Sequence, residues 1–177
     1  DRLIVLQSMG LRELPERLRE KVHVIVQSVK VPAGVFRPRK SAFEVCVVGH
    51  LRPVKDPFRA AEAARLLNAS SKIEVLQMGR ALSSVMEGGA NVLCEAIACA
   101  IPTIASRISG SIGLLGEDYP GYFEVKDTDG LASMLERAEK DTDFYRELKK
   151  WNERLKSIVK PSHERKCWEA LLSGLTA

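Results

Sequence analysis

The chain has 177 residues, of which 45% are hydrophobic, and a formal net charge of +4 at pH 7. This composition can bury the core of one domain or slightly more, and its basic residues are spread rather than clustered, which argues against nucleic-acid binding. No apolar run reaches the length of a membrane span and no N-terminal signal pattern is present, so we expect a soluble, cytoplasmic protein.

Alternating strand and helix patterns run along the chain in an order typical of α/β proteins. Before residue 80 we predict strands at 1–7, 22–27, 43–48 and 73–79 and helices at 11–20 and 58–67. After residue 90 we predict strands at 101–106 and 123–125, helices at 91–100, 127–138, 143–156 and 162–175, and a glycine-rich loop at 107–116. This order predicts a Rossmann-like, doubly wound parallel sheet. Trp151 and Trp168 are expected to pack as anchors of the last two helices.

Residues that often bind metals occur in patterns that favour other roles. The chain has four cysteines without metal-site spacing, at Cys46, Cys94, Cys99 and Cys167. We expect buried free thiols. Two Asp-x-Asp tripeptides, at 127–129 and 141–143, immediately precede helical patterns, where aspartate caps free amide groups. We therefore predict helix capping there, and no requirement for a metal or another cofactor.

The segment from Ser84 to Ala100 carries the clearest functional pattern. From residue 91 onward, the apolar positions 92, 93, 96, 97 and 100 recur at helical spacing. Glycines before that helix let the backbone approach a ligand, and the first amide groups of a helix lack partners within it. A phosphate-binding turn is therefore predicted from four consecutive residues, Gly88, Gly89, Ala90 and Asn91.

Two carboxylates flank this turn. Glu87 and Glu95 lie eight residues apart, or about 12 Å along a helix, whereas the carboxyl groups of a retaining glycosidase are about 5 Å apart. They are therefore not expected to form a hydrolytic pair. They could instead bind opposite ends of a long polar ligand such as a nucleotide sugar, with its diphosphate at the helix N-terminus between them.

A second candidate segment follows the strand at 43–48. It begins with Gly49 and His50 and continues through Arg52 to Lys55. A strand, a glycine, a cationic loop and a helix make a βα unit, and open α/β sheets bind ligands beyond the carboxyl ends of such strands. This loop is therefore a candidate ligand site, although a solvated loop charge is the alternative for Lys55.

These two segments resemble those of retaining glycosyltransferases of the GT-B fold, family 4. The resemblance lies in the Glu87-x7-Glu95 spacing with the Ala-Ile-Ala-Cys-Ala-Ile-Pro-Thr run that follows. It implies that Glu87 faces the donor sugar, Glu95 binds the ribose hydroxyls and Lys55 contacts the diphosphate. His50 stands where the family has an arginine, which Arg52 could replace.

The resemblance also implies a domain organisation. Residues 1–30 would end the N-terminal acceptor domain, 31–40 would form the linker, 41–160 the donor-binding domain, and 161–177 a helix that packs back on the N-terminal domain. The amino-acid sequence of residues 43–58, 86–91 and 113–122 is similar to that of a bacterial subgroup of the family that includes selenosugar synthases. It implies transfer of a sugar from a UDP-sugar, possibly to selenophosphate, with retention. A glycine pair of the family falls at about Ser109 and Gly110, where we expect either part of the sugar pocket or a surface turn.

The interval between Gly79 and Ser84 is too short for the predicted topology. The next parallel strand needs a crossover connection, and a βαβ unit takes about 30 residues or more, but only four residues separate these two. We therefore hypothesise that residues are missing here, either deleted from the gene product or left out of the sequence.

Other interpretations stay open at this point. The chain could be a non-catalytic nucleotide-sugar-binding module, or a nucleotide-sugar epimerase of the same fold. The expected partners are small molecules, a nucleotide sugar and an acceptor. The base, the sugar, the acceptor and the oligomeric state are not determined by the sequence.

Overall fold

The structure, a computed structural model, describes residues 1–31, 33–34, 39, 41–48, 56, 58–78 and 91–175. Within these residues the fold is mixed α/β, with eight helices and three pairs of parallel strands. The strands are β1 (Leu3–Val5), β2 (Val22–Val24), β3 (Phe43–Val48), β4 (Ile73–Met78), β5 (Ala105–Ser106) and β6 (Tyr122–Phe123). The helices are α1 (Gly10–Glu13), α2 (Glu16–Arg19), α3 (Arg59–Ala64), α4 (Asn91–Cys99), α5 (Ser109–Leu115), α6 (Thr128–Lys140), α7 (Thr142–Leu155) and α8 (Pro161–Ser173).

The best-formed strand pair is β3 with β4, joined through helix α3. Both strands span six residues and pair in parallel along their full length, from Phe43 opposite Ile73 to Val48 opposite Met78. Five of the twelve residues in these strands are β-branched, and such residues suit a pleated, half-buried surface. The predicted strand and helix order is confirmed here, including both strand starts.

One face of this pair is covered by helices. Ala60 and Ala63 of α3 pack with Leu131 and Leu135 of α6 in a buried cluster, against which β3 and β4 place alternate residues including Val45. The small alanine side chains let the helix backbone approach the sheet closely. Side chains two apart along a strand share a face, so this packing specifies the register of the pair.

The opposite face of the pair is exposed. Cys46 lies opposite Leu76, and Val48 lies opposite Met78, and all four side chains are solvent exposed. Parallel sheets in α/β proteins are normally covered on both faces. The mixed α/β class is confirmed, but the described residues show separate strand pairs, and the doubly wound sheet stays a prediction.

The larger core joins the C-terminal helices. Ile97 of α4, Leu115 of α5, and Phe144 and Leu148 of α7 are each at most 1% exposed and belong to one cluster with Val159. Fully burying such a side chain contributes about 1.5–3 kcal/mol. This core anchors α4, the helix that carries Glu95.

The N-terminal elements depart from the predictions. The expected strand at 1–7 is three residues long, and Leu3 and Ile4 are exposed rather than buried. The expected helix at 11–20 is two four-residue helices, α1 and α2, separated at Leu14 and Pro15. Proline lacks the amide hydrogen that a continuous helix needs, and it pushes the residue before it out of helical geometry.

The expected loop at 107–116 is wrong over most of its length. Residues Ser109–Leu115 form helix α5, and Ser111, Leu114 and Leu115 are buried in it. Tertiary packing of these side chains overrides the unfavourable helix propensity of two glycines. The helix ends at Gly116, whose φ of 90° suits glycine alone.

Both aspartates predicted as caps are caps. The Asp127 carboxylate accepts from the Gly130 amide at the start of α6, and the Asp141 carboxylate accepts from the Asp143 and Phe144 amides at the start of α7. Hydrogen bonding, chiefly from Phe144, lowers the pKa of Asp141. These bonds satisfy amide groups that the first helical turn leaves unpaired.

The cysteine prediction is partly wrong. The four thiols are free, but Cys46 and Cys99 are exposed, Cys167 is partly exposed and Cys94 alone among them is buried. The tryptophans also differ from each other. Trp151 packs against the larger core and donates to the Leu115 carbonyl oxygen at 2.7 Å, whereas Trp168 is 38% exposed.

Helix α8 contacts the segment that follows β2. The Ser28 amide donates to the Glu164 carboxylate at 2.9 Å, and the Val29 amide donates to the Val159 carbonyl oxygen at 3.0 Å. Hydrogen bonding from Ser28 lowers the pKa of Glu164. Residues near the two ends of the chain are therefore joined by backbone and side-chain hydrogen bonds.

Candidate functional site

Strands β3 and β4 end at the same edge of their pair. Val48 and Met78, the last residues of these strands, lie opposite each other in the parallel register. Neighbouring strands are about 4.8 Å apart, so the carboxyl ends of β3 and β4 lie side by side. Residues 49–55 and 79–90, which follow these strands, lie outside the described residues, so the meeting of the two candidate segments stays a prediction.

Most of the predicted site residues lie outside the described residues. These are Gly49, His50, Arg52, Lys55, Glu87, Gly88, Gly89 and Ala90. The interval between Gly79 and Ser84, where we hypothesise missing residues, lies outside them too. The structure does describe Asn91 and Glu95.

Asn91 is the first residue of α4, as the sequence predicted, and Glu95 lies one turn later. Both side chains are exposed, and residues four apart share a helix face. No hydrogen bond or ion pair joins the Glu95 carboxylate to another described residue. This exposed face can therefore receive a ligand.

The other face of α4 holds the helix in place. Cys94 is 3% exposed and Ile97 is 0% exposed, both within the larger core. Burial is the main cause that raises the pKa of the Cys94 thiol, and the neighbouring Glu95 charge raises it further. Cys94 is thus a neutral packing group, and Glu95 projects from a helix with a fixed position.

A polar cluster lies where the second candidate segment enters α3. The Arg59 guanidinium donates to the Asp56 carboxylate at 2.7 Å and to the Thr128 hydroxyl at 2.5 Å. The Arg59 nitrogen that donates to Thr128 also lies 3.3 Å from the Glu62 carboxylate. The contacts with Asp56 and Glu62 raise the pKa of Arg59, with the hydrogen bond to Asp56 as the largest cause.

Arg59 is not among the site residues that the sequence predicted. A signal was present, because Asp56 and Arg59 are three residues apart at the start of a predicted helix, where opposite charges can pair. The contact to Thr128 had no such signal, since 69 residues separate it from Arg59. Only the packing of α3 against α6 brings these two residues together.

The Ser109 and Gly110 pair begins helix α5 and is partly exposed. A Cβ atom added at Gly110 would meet nothing within 4 Å, so this helix start faces open space. It is not a surface turn, and its place in a sugar pocket stays a prediction.

A cavity of about 180 Å³ lies at the other end of β3. Phe43, Ala138, Glu139, Thr142 and Tyr145 line it. Phe43 is the first residue of the strand whose last residue precedes the candidate segment. This cavity therefore contains none of the predicted site residues.

Two features are absent from the described part of the chain. Its His, Cys, Asp and Glu side chains form no group of three or more that could hold a metal ion. None of its helices combines the length and the apolar character needed to cross a bilayer.

No protein-family model matches this chain, and no curated protein matches it either. A functional interpretation therefore depends on the residues and on the geometry of the described elements.

Proposed function

We propose that this chain is the donor-binding part of a retaining glycosyltransferase, and that its ligand is a nucleotide-diphosphate sugar with UDP as the expected nucleotide. The observation that carries the proposal is the parallel register of β3 and β4, which ends both strands at one edge. Ligands of open α/β sheets bind beyond the carboxyl ends of the strands.

The exposed face of α4 supports the proposal. Glu95 has a free carboxylate one turn into a helix that buried side chains hold in place. A carboxylate can accept hydrogen bonds from two neighbouring hydroxyl groups. The ribose of a nucleotide presents such a pair, so the proposed role of Glu95 is to bind the ribose.

The chemistry follows from the roles that the resemblance gives to the other residues. Lys55, helped by Arg52 or His50, and the amides of residues 88–91 stabilise the diphosphate as negative charge develops on it. Such prearranged donors supply a large catalytic contribution. Glu87 orients the sugar hydroxyls, and the acceptor, for which selenophosphate is the proposed example, attacks from the side of the leaving group. No covalent enzyme nucleophile and no cofactor is required by this scheme.

Calorimetric titration with UDP, GDP and ADP tests the proposal. UDP should bind most tightly, and Glu95→Ala and Lys55→Ala should each weaken it about tenfold, or 1.4 kcal/mol. Glu153→Ala is the matched control, because Glu153 is an exposed glutamate on α7 with no proposed role. It should bind UDP as the wild type does.

Two results would contradict the proposal. One is the absence of binding for all three nucleotides. The other is a loss of affinity in the Glu153→Ala control that equals the loss in Glu95→Ala, because the effect would then reflect net charge. Conversion of a UDP-sugar to its epimer without an acceptor would favour the epimerase interpretation instead.

A further inference from the structure

A histidine and a cysteine face each other on helix α8. The His163 ring nitrogen Nε2 lies 3.7 Å from the Cys167 sulfur, close enough for a hydrogen bond that involves sulfur. The two residues are four apart in the sequence, so they share one face of the helix. Neither residue belongs to the proposed donor site or to either buried cluster.

Helix α8 keeps this pair together. The Glu164 carboxylate, one residue after His163, accepts from the Ser28 amide at 2.9 Å. Leu171, one turn after Cys167, is only 6% exposed. The backbone that carries the two side chains is therefore anchored on both sides of the pair.

The pair is open to small molecules in solution. His163 is exposed and Cys167 is partly exposed. Cys46 and Cys99 are more exposed, but their sulfur atoms have no hydrogen bond to another described residue, and Cys94 is buried. Among the described residues, Cys167 is therefore the thiol that combines access with a neighbouring imidazole.

An imidazole beside a thiol suits one particular reaction. The thiolate, not the thiol, attacks a disulfide. A neutral imidazole nitrogen accepts the proton of a neighbouring thiol and so acts as a general base. The pair thus provides a sulfur nucleophile and a base within hydrogen-bonding reach, as thiol–disulfide exchange requires.

We propose that Cys167 is a modification site for low-molecular-weight disulfides, with His163 as the base that activates its thiol. The thiol proton of Cys167 moves to Nε2 of His163, and the sulfur attacks one sulfur of the disulfide. A new S–S bond joins Cys167 to that sulfur while the original S–S bond breaks. The released sulfur leaves as a thiolate and takes the proton from His163. Cys167 is oxidised to a mixed disulfide, and the other half of the small molecule is released as a free thiol.

Charged side chains near the pair are the competing explanation for a reactive Cys167. Glu164 accepts from the Ser28 amide and from the Trp168 indole nitrogen at 3.5 Å. The other charged residues at the start or middle of α8, or on the segment that follows β2, are exposed, namely Lys30, Lys160, Arg165, Lys166 and Glu169. An exposed cation acts on a thiol only through its field, which water and salt screen, whereas the imidazole takes the proton itself.

The experiment measures the rate of mixed-disulfide formation at each cysteine of the reduced chain. Oxidised glutathione is the probe, a metal chelator is present, samples are acidified at timed intervals, and peptide mass spectrometry quantifies each site. At pH 7 an ordinary thiol is only a few per cent thiolate, so Cys167 should react about tenfold faster than Cys46 and Cys99 when a base takes its proton. Accessibility alone predicts the opposite order.

Two substitutions of His163 test the base. At pH 7 His163→Ala should lower the rate at Cys167 about tenfold and leave the rates at Cys46 and Cys99 unchanged. At about pH 10 an ordinary thiol ionises without a base, so the same substitution should change the rate at Cys167 by less than about twofold. His163→Gln keeps a polar side chain that cannot act as a base, and it should show the same loss as His163→Ala.

Lys166→Ala is the matched control, because it removes an exposed cation directly beside Cys167. It should keep the rate at Cys167 within about twofold of the wild-type rate. An equal loss in Lys166→Ala and His163→Ala would overturn the proposal, since the effect would then be one of charge.

The order of rates in the wild-type chain tests the proposal without any variant. A rate at Cys167 no higher than the rates at Cys46 and Cys99 would overturn it. Far-UV circular dichroism shows that each variant keeps its helices. These measurements involve no nucleotide, so a negative result leaves the proposed function intact.

Discussion

Asn152 offers a sharp test of the core that holds α4. Its side chain is 0% exposed, and its amide nitrogen donates to the Ile101 carbonyl oxygen at 2.5 Å and to the Thr103 hydroxyl at 3.0 Å. Its amide oxygen has no hydrogen-bond partner among the described residues. In Asn152→Asp, a protonated carboxyl group keeps one donor for these oxygens, whereas an ionised one has none and faces both of them.

The size of the stability loss in Asn152→Asp follows from the burial of residue 152. Full burial raises the pKa of a carboxyl group by up to about 3–5 units, and each unit corresponds to about 1.36 kcal/mol. The raised folded-state pKa means that the variant is most stable below the unfolded-state value of about 3.9 and loses stability as pH rises towards the folded-state value. Between pH 4 and pH 7 the expected loss relative to wild type is about 4 kcal/mol, a large part of the about 5–15 kcal/mol that stabilises a typical protein.

Urea unfolding of both proteins across this pH range measures the difference, in which the pH dependence of all other groups cancels. Asn68→Asp is the control, because Asn68 is exposed and its replacement should cause no such loss. If Asn152→Asp and wild type show the same pH dependence, residue 152 is not buried among these oxygens and the reasoning fails.

Three further changes test other contacts. Trp151→Phe removes the indole donor to the Leu115 carbonyl oxygen and should cost about 1–3 kcal/mol in urea unfolding; an unchanged midpoint would contradict that hydrogen bond. Asp141→Ala should lower the melting temperature at pH 7, and the difference from wild type should shrink below pH 3.8, because a carboxylate with a lowered pKa loses its contribution as pH falls. Leu76→Lys, on the exposed face of β4, should reduce the fluorescence of a bound hydrophobic dye and change stability by less than about 0.5 kcal/mol; strong destabilisation would mean that this face is covered.

The fold elements that sequence reasoning located best are those with a strong local pattern. The strands at 43–48 and 73–78 and the helices starting at 91, 128 and 142 are close to their predicted positions. A short, mostly apolar run, an aspartate cap or an amphipathic repeat acts within a few residues, so it is visible without the tertiary structure. The start of α4 at Asn91 was predictable for the same reason.

The sequence predictions fail where tertiary packing determines the local structure. Helix α5 forms in a glycine-rich segment because its buried side chains contact the larger core, and no local signal favours a helix there. The polar cluster of Arg59 depends on α6 lying beside α3. Exposure of Leu3, Ile4 and the outer face of the β3–β4 pair likewise depends on what else packs nearby, which an apolar run cannot reveal.

The sequence by itself determined the α/β class, the capping aspartates and the two motifs on which the functional proposal depends. Only the tertiary structure decided that β3 and β4 pair in a register that ends both strands at one edge, that Glu95 points away from a buried anchor, and that Arg59 contacts Thr128. The physical reason is the separation along the chain over which each effect acts. Capping and periodicity act over a few residues along the chain, whereas register, burial and the meeting of Arg59 with Thr128 depend on segments far apart in sequence that share one core.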